Sequence, residues 1–404
     1  MRRRLSVFAA GVCGLVVGGL TTLAIQGNAR PTPPRAGGAL PLVATTPEAP
    51  STFLVWVPRG LPQGFSAQSA ALPKIDAMTV VAEDDAWLDR SWSATGEVVD
   101  RPERGYAIPI DTAAVDPATF AAFVPAADHP SVAALAHGEA ILGATAAGLR
   151  GLGVGSSLEF DGEKIRVAAV LPDQLVGAAE VVVSSRTGAR IGVTRQRYLL
   201  VRPDAGRRMS APAFRARIRR FLPVSLGMDR AVQVRAPGDT PYFRAGDAVL
   251  PPIIVKSLFG EFAARPGTLP GTIEIDPRWV ASHIGSTTMP VLGRVMCNRG
   301  IIPQLQLAMR RLVAAGLRHT IRSYEGCFVP RYIGWSDENM LSYHSWGIAF
   351  DVNLAANLRG ETPHQDPRMV RLLARWGFTW GGSWIVPDGN HFEFHRAVPI
   401  PSVG

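Results

Sequence analysis

The chain opens with Arg2, Arg3 and Arg4, followed by an uncharged and mostly apolar run from Leu5 to Gln26. A bilayer takes roughly 20 such residues to cross. Basic residues ahead of the run send everything after it outward. A cleavable signal peptide has an apolar region of only about 7–15 residues, so an uncleaved membrane anchor over residues 1–29 is expected. Gly27-Asn28-Ala29 is a small-residue site at which cleavage would instead release the chain. Cys13 reads as an ordinary membrane residue, because Ala-Gly-Val before it is a poor lipidation signal. Residues 30–50 are rich in Pro, Thr and Ala with no apolar period, as in an extended tether.

Short apolar runs then alternate with helical periods, which predicts an α+β chain. In a membrane-proximal domain over 51–237, β-type runs cover Phe53 to Val57, Ile165 to Leu171 and Tyr198 to Val201. Asp161-Gly162 marks a hairpin between two of these runs. Helices are predicted from Ser131 to Gly148 and from Ala211 to Leu222, where Phe214, Ile218, Phe221 and Leu222 share a face. A linker over 238–250 leads to a second α+β domain over 251–404, with a small antiparallel sheet and flanking helices. Pro303 opens a helix whose Leu305, Ala308, Met309, Leu312 and Val313 form one stripe ending at Gly316. Another runs from Pro367, capped by Asp366, through Met369, Leu372, Leu373 and Trp376 to Gly377. No repeat of 20–50 residues is visible, which argues against a solenoid or propeller.

Length and composition sharpen this picture. At about 150 residues per domain, 404 residues suggest two or three domains, and 47% hydrophobic content suffices for packed cores. Only three of the 42 basic residues are lysine, leaving 39 arginines and a net charge of +9. Such a chain suits anionic surroundings. The arginines are scattered, without a basic stripe or interleaved aromatics, so no nucleic-acid partner is expected and anionic envelope polymer or lipid fits better.

Five of the eight histidines, His319, His344, His364, His391 and His395, lie between residues 319 and 395. Within Ser342-Tyr-His344-Ser-Trp-Gly347-Ile-Ala349-Phe-Asp351, a turn carrying His344 leads into a strand ending at Asp351. In Asp388-Gly-Asn-His391-Phe-Glu393-Phe, His391 and Glu393 share one strand face. His344, Asp351 and His391 form a ligand set that zinc accepts while leaving a fourth position for water. A carboxylate must then move the proton, with Asp388 the first choice and Glu393 the reserve. His319, His364 and His395 are not expected to be ligands, His395 being the nearest exception because it follows Glu393 on the same face. His129 and His137 lack a third ligand nearby.

The SxHxxGxAxD pattern with a carboxylate three residues before a later His resembles the zinc peptidases that cleave bacterial cell-wall stem peptides. These are the D-alanyl-D-alanine carboxypeptidases and the related L-alanyl-D-glutamate endopeptidases. The resemblance covers roughly residues 250–398. It implies zinc held by His344, Asp351 and His391, with Asp388 as general base where many relatives carry Glu. Gly326 to Arg331 resembles the segment whose Arg contacts substrate and the developing oxyanion, so Arg331 takes that role. Ser342, matching the motif's first position, positions the site or substrate. Trp384, after Trp376, Trp380 and Gly381-Gly382, is a candidate for either core or groove wall, the glycines letting a peptide approach closely.

Outside the membrane, Cys297 and Cys327 are expected to pair, because two lone cysteines without a CxxC make a poor structural metal site. The segment from Gly138 to Val182, with "EAILG", "LGVGSSLEF" and "RVAAVLP", resembles extracytoplasmic domains of bacterial ABC-type permeases. It names no active residue, and this domain reads as a spacer, a module for an envelope protein partner, or a regulator. The expected function is peptidoglycan stem-peptide hydrolysis, with a non-catalytic wall-binding or regulatory protein as the alternative.

Overall fold

The computed structural model describes residues 52–399 apart from 59, 63, 66–74, 205–209, 222–231, 237–238, 240–241 and 248–249. The expected anchor and tether over 1–50 lie outside the described residues. Among the described residues no helix is long and apolar enough to cross a membrane.

The first half is built on nine strands: β1 Phe53–Trp56, β2 Ile75–Trp92, β3 Ile108–Val115, β4 Ala140–Gly143, β5 Ser157–Phe160, β6 Glu163–Leu171, β7 Val181–Ser184, β8 Gln196–Pro203 and β9 Gln233–Arg235. Their order is β3-β7-β4-β6-β5-β2-β8-β1-β9, and a further β2–β3 pairing closes the first six into a ring. Strand β2 spans 18 residues, which lets Val81 to Leu88 pair with β3 while its earlier part pairs with β8. The Asp161-Gly162 hairpin forms as expected, with Phe160 opposite Glu163 and both turn residues at positive φ.

The helix expected over Ser131 to Gly148 is instead His129–Ala134, a 3-10 turn, strand β4 and a second helix Ala144–Arg150. Gly138 ends the 3-10 turn in the left-handed conformation. The run Ala140-Ile-Leu-Gly143 is then buried on both faces between β6 and β7, and that enclosure overrides helical periodicity. The later helix covers Ala211–Phe221, with Phe214 and Ile218 fully buried.

Where it is described, the expected linker over 238–250 packs against the first half. Tyr242 is buried, and Arg244 pairs with Glu83 at 3.0 Å and Asp111 at 2.7 Å. Beyond it, strands β10 Ala264–Pro266 and β11 Ile273–Ile275 pair, as do β12 Ile284–Met289 and β13 Gly293–Asn298. The site is built on four more, β14 Tyr324–Gly326, β15 Ala349–Val352, β16 Phe378–Trp380 and β17 His391–Phe394, ordered β14-β15-β17-β16 and all antiparallel.

Helix Ile302–Ala314 buries Leu305, Ala308, Met309 and Leu312 against this sheet's core, but Val313 is 42% exposed, one position off the stripe assigned to it. Helix Pro367–Arg375 starts at Asp366, whose carboxylate accepts the Arg368 amide, and buries Met369 and Leu373. Cys297 and Cys327 form a disulfide, their Cα atoms 5.3 Å apart.

The two halves meet through buried charge. Lys256, 2% exposed, reaches Glu180 at 2.6 Å and Glu261 at 3.1 Å, and Arg150 pairs with both carboxylates. Burial would raise the Glu180 carboxyl, but Lys256 and then Arg150 outweigh it and hold it below its ordinary value. An unpaired buried charge would be far costlier than these pairs, so their partners hold the halves in one arrangement.

Candidate metal centre

Ser342 ends an extended segment and caps the 3-10 turn Tyr343–Trp346, its Oγ 3.4 Å from the His344 amide. Gly347 closes that turn at φ +66°, where a Cβ would stand 2.8 Å from the Asn298 amide nitrogen. Glycine is therefore required twice over, for the backbone angle and for the close approach to β13. The chain re-enters as β15, whose Asp351 lies directly across from His391 of β17. Cross-strand partners bring their Cβ atoms within about 5.5 Å, so sheet register alone sets two members of the group together.

The turn supplies the third. His344 Nε2 lies 3.2 Å from His391 Nδ1 and 3.2 Å from Asp351 Oδ1, and His391 Nδ1 lies 3.0 Å from the same oxygen. One ligand atom from each residue falls within 4.8 Å of the others, the one such His, Cys, Asp or Glu group among the described residues. His319, His364, His395 and the two cysteines are not in it.

Each imidazole is fixed from behind. His344 Nδ1 faces the Cys327 carbonyl at 2.9 Å. A carbonyl only accepts, so Nδ1 carries the proton and Nε2 of the neutral ring offers its lone pair inward. His391 shows its Nε2 to Glu393 Oε2 at 3.3 Å, leaving Nδ1 to face the group. Glu393 is 3% exposed and sits behind the ring.

Burial would push the Asp351 carboxyl up, but His344 and His391 outweigh it and hold it well below the usual carboxylate range. Burial would likewise lower His391, yet hydrogen bonds to Asp351 and Glu393 push it up to about 10. Burial lowers His344, which keeps it neutral. Two inward nitrogens, one carboxylate oxygen and a second carboxylate behind form a cluster that pulls strongly on a proton and suits a divalent cation in its place.

Around the group, Asp388 lies one turn before His391, its carbonyl accepting the His391 amide at 3.1 Å. Its carboxylate pairs with Arg359 at 2.9 Å. Arg331 places Nη2 3.6 Å from Asp351 Oδ2 and donates from Nη1 to Ser342 Oγ at 3.3 Å. Its guanidinium also lies 5.1 Å from the ring centre of Trp335, which is 54% exposed. Fully buried Ser345 clasps the Arg331 backbone, accepting from its N and donating to its carbonyl, both at 3.1 Å. Trp384 tilts against His391 with centroids 5.2 Å apart.

Gly381 and Gly382 are needed for packing within the chain itself. A Cβ at Gly382 would enter the Trp380 ring, and one at Gly381 would meet the Asp388 carbonyl at 2.8 Å. Arg359 and Ser345 carried no sequence signal: Arg359 reaches Asp388 across 29 residues of chain, and Ser345 is an ordinary turn residue until its neighbours are known.

Residues 336–394 match the D-alanyl-D-alanine carboxypeptidase family. That segment contains both histidine motifs, from Ser342 to Asp351 and from Asp388 to His391, whereas Arg331 and both cysteines precede it. No curated protein matches the chain. Among solved structures, the periplasmic region of MacB from Actinobacillus actinomycetemcomitans is 12% identical, covering 47% of this chain and 90% of its own at a TM-score of 0.31. The extracellular domain of the noncanonic ABC-type transporter YknZ from Gram-positive bacteria is 12% identical, covering 41% and 88% at 0.26. A domain of a permease protein from Porphyromonas gingivalis is 12% identical, covering 49% and 95% at 0.29.

Proposed function

We propose that residues 251–404 form a zinc-dependent peptidase that hydrolyses peptide bonds in peptidoglycan stem peptides, held at the outer face of the membrane by the N-terminal anchor. The observation that carries this is the convergence of His344 Nε2, Asp351 Oδ1 and His391 Nδ1 within 4.8 Å, inside the segment that matches the carboxypeptidase family. Those three atoms would hold the ion. When bound, zinc supplies Lewis acidity toward water and toward a peptide carbonyl.

The rest falls to the chain's own groups. Asp388 takes the proton of the attacking water and returns it to the departing amine. Arg359, paired with it at 2.9 Å, holds that carboxylate in place. Arg331 offers positive charge to the oxyanion that develops on the substrate carbonyl, or to a terminal carboxylate. Trp335 beside Arg331 and Trp384 beside His391 offer flat apolar surface to a substrate. Glu393 and the Cys327 carbonyl keep the two imidazoles from rotating.

Incubation of the purified chain with muropeptides, with and without a chelator, tests this by mass spectrometry. Released D-alanine identifies a carboxypeptidase, and a new N-terminal D-glutamyl residue identifies an endopeptidase. No product at any zinc concentration would sink the enzyme and leave a wall-binding protein.

A further inference from the structure

We propose that Asp85, on the longest strand of the first domain, is a positioning residue for the peptidase site, fixing the hairpin that carries Arg331 and Ser342. The proposal rests on the function given above. Residues 331–333 and 340–342 run antiparallel, with Tyr332 opposite Leu341. Ile333 N donates to the Met340 carbonyl at 2.9 Å and Ser342 N to the Arg331 carbonyl at 3.0 Å.

In such a ladder the amides of Tyr332 and Leu341 point outward, away from each other. Tyr332 N finds the Gly271 carbonyl at 3.0 Å, within its own domain. Leu341 N finds Asp85 Oδ2 at 2.9 Å, from the other domain. The carboxylate stands where the carbonyl of a next strand would stand. At the hairpin's far end Arg197, anchored on the Glu83 carbonyl at 2.9 Å, donates to the Glu338 carbonyl at 3.2 Å.

The consequence reaches the site in one residue. Leu341 precedes Ser342, whose Oγ accepts from Arg331 and caps the turn holding His344. A buried amide must have an acceptor, and this one is supplied by a domain outside the segment that matches the peptidase family. The first domain is thereby a brace for Arg331 rather than a spacer. Burial, with Asp111 next, pushes the Asp85 carboxyl up to about 7, so an uncharged amide that keeps the acceptor oxygen is a fair substitute.

The test uses the full chain as wild type, Asp85→Ala, Asp85→Asn, Arg331→Ala and the Asp85→Ala/Arg331→Ala pair. With a stem-peptide substrate, Asp85→Ala should lower kcat/KM about tenfold, the scale of an orphaned buried amide. Asp85→Asn should restore most of it, and the pair should lie close to Arg331→Ala alone, because Asp85 acts through that arginine. Zinc affinity should stay within twofold of wild type in Asp85→Ala, and hydrogen exchange over 338–342 should quicken in Asp85→Ala but not in Asp85→Asn. Unchanged exchange in Asp85→Ala overturns the proposal, as do full additivity with Arg331→Ala or equal losses in both Asp85 variants. If the wild type cleaves no substrate, the peptidase reading fails, while exchange still decides whether Asp85 holds the hairpin.

Discussion

Glu393→Gln separates orientation of a ligand from movement of a proton. The side chain is 3% exposed, and its Oε2 lies 3.3 Å from His391 Nε2, the nitrogen turned away from the Asp351 and His344 atoms. Glutamine keeps the shape and an accepting oxygen but removes the charge. Two full charges at that separation, in an effective dielectric of about 20, interact by about 5 kcal/mol. A neutral imidazole feels only part of this, so that figure is a ceiling. Loss of an outer carboxylate typically weakens metal binding tenfold to a hundredfold, or about 1.4–2.7 kcal/mol.

Titration of the zinc-free protein against a chromogenic chelator should show a loss in that range for Glu393→Gln, with turnover recovering at saturating zinc. Asp388→Asn should do the reverse, leaving zinc affinity near wild type and lowering turnover about 10²–10⁴-fold. If Glu393→Gln bound zinc within twofold of wild type while turnover collapsed at saturation, Glu393 would be the proton carrier and the roles assigned here would be exchanged.

Further outcomes are expected for the pH dependence, the disulfide and the buried lysine. His391 is raised from 6.5 to about 10 when no ion is bound, so a cation must displace a proton at neutral pH, and zinc affinity should climb about tenfold per pH unit up to that value. By the same linkage, the stability that the protonated ring gives the zinc-free protein is fully present below about 6.5 and lost as pH rises through about 10; a melting temperature that instead rose over that interval would contradict the pairing with Asp351 and Glu393. Replacing Cys297 and Cys327 together by serine, which opens a loop of 30 residues, should lower unfolding free energy by about 3–4 kcal/mol. It should also weaken zinc binding, because the Cys327 carbonyl fixes His344, as chelator competition would reveal. Lys256→Met leaves Glu180 and Glu261 with less positive charge at a buried seam and should cost about 3–5 kcal/mol in denaturant unfolding.

The site was legible where chemistry is written in local spacing. His344 and Asp351 sit seven residues apart around Gly347, and the turn-and-strand geometry follows from that glycine's positive φ. Alternation along His391-Phe-Glu-Phe put His391 and Glu393 on one face, and the strand keeps them there. What spacing did not carry was the different surroundings of the two carboxylates: Glu393 faces His391 Nε2, while Asp388 pairs with Arg359. The misread helix at 131–148 fails for a related reason. Ala140-Ile-Leu-Gly143 fits a helical stripe until strands on both sides enclose it. Val313 fits the apolar stripe of its helix, but the helix turns it to solvent.

The seam between the halves was invisible to hydrophobic patterning because it is made of charges. Glu83, Glu180 and Asp111 are 3%, 0% and 1% exposed despite their charge. A buried ionic seam adds little stability over an apolar one but penalises every arrangement that separates its partners. Rigidity is what the role proposed for Arg331 requires, since a guanidinium displaced by about 1 Å loses much of its hold on developing charge. The arginines, scattered along the sequence, are gathered here by the fold: Arg150 and Arg244 close the seam, Arg197 steadies the hairpin's end, and Arg331 and Arg359 face Asp351 and Asp388. Their abundance, which in the sequence pointed only toward anionic surroundings, thus has an internal use that joins the first domain to the second.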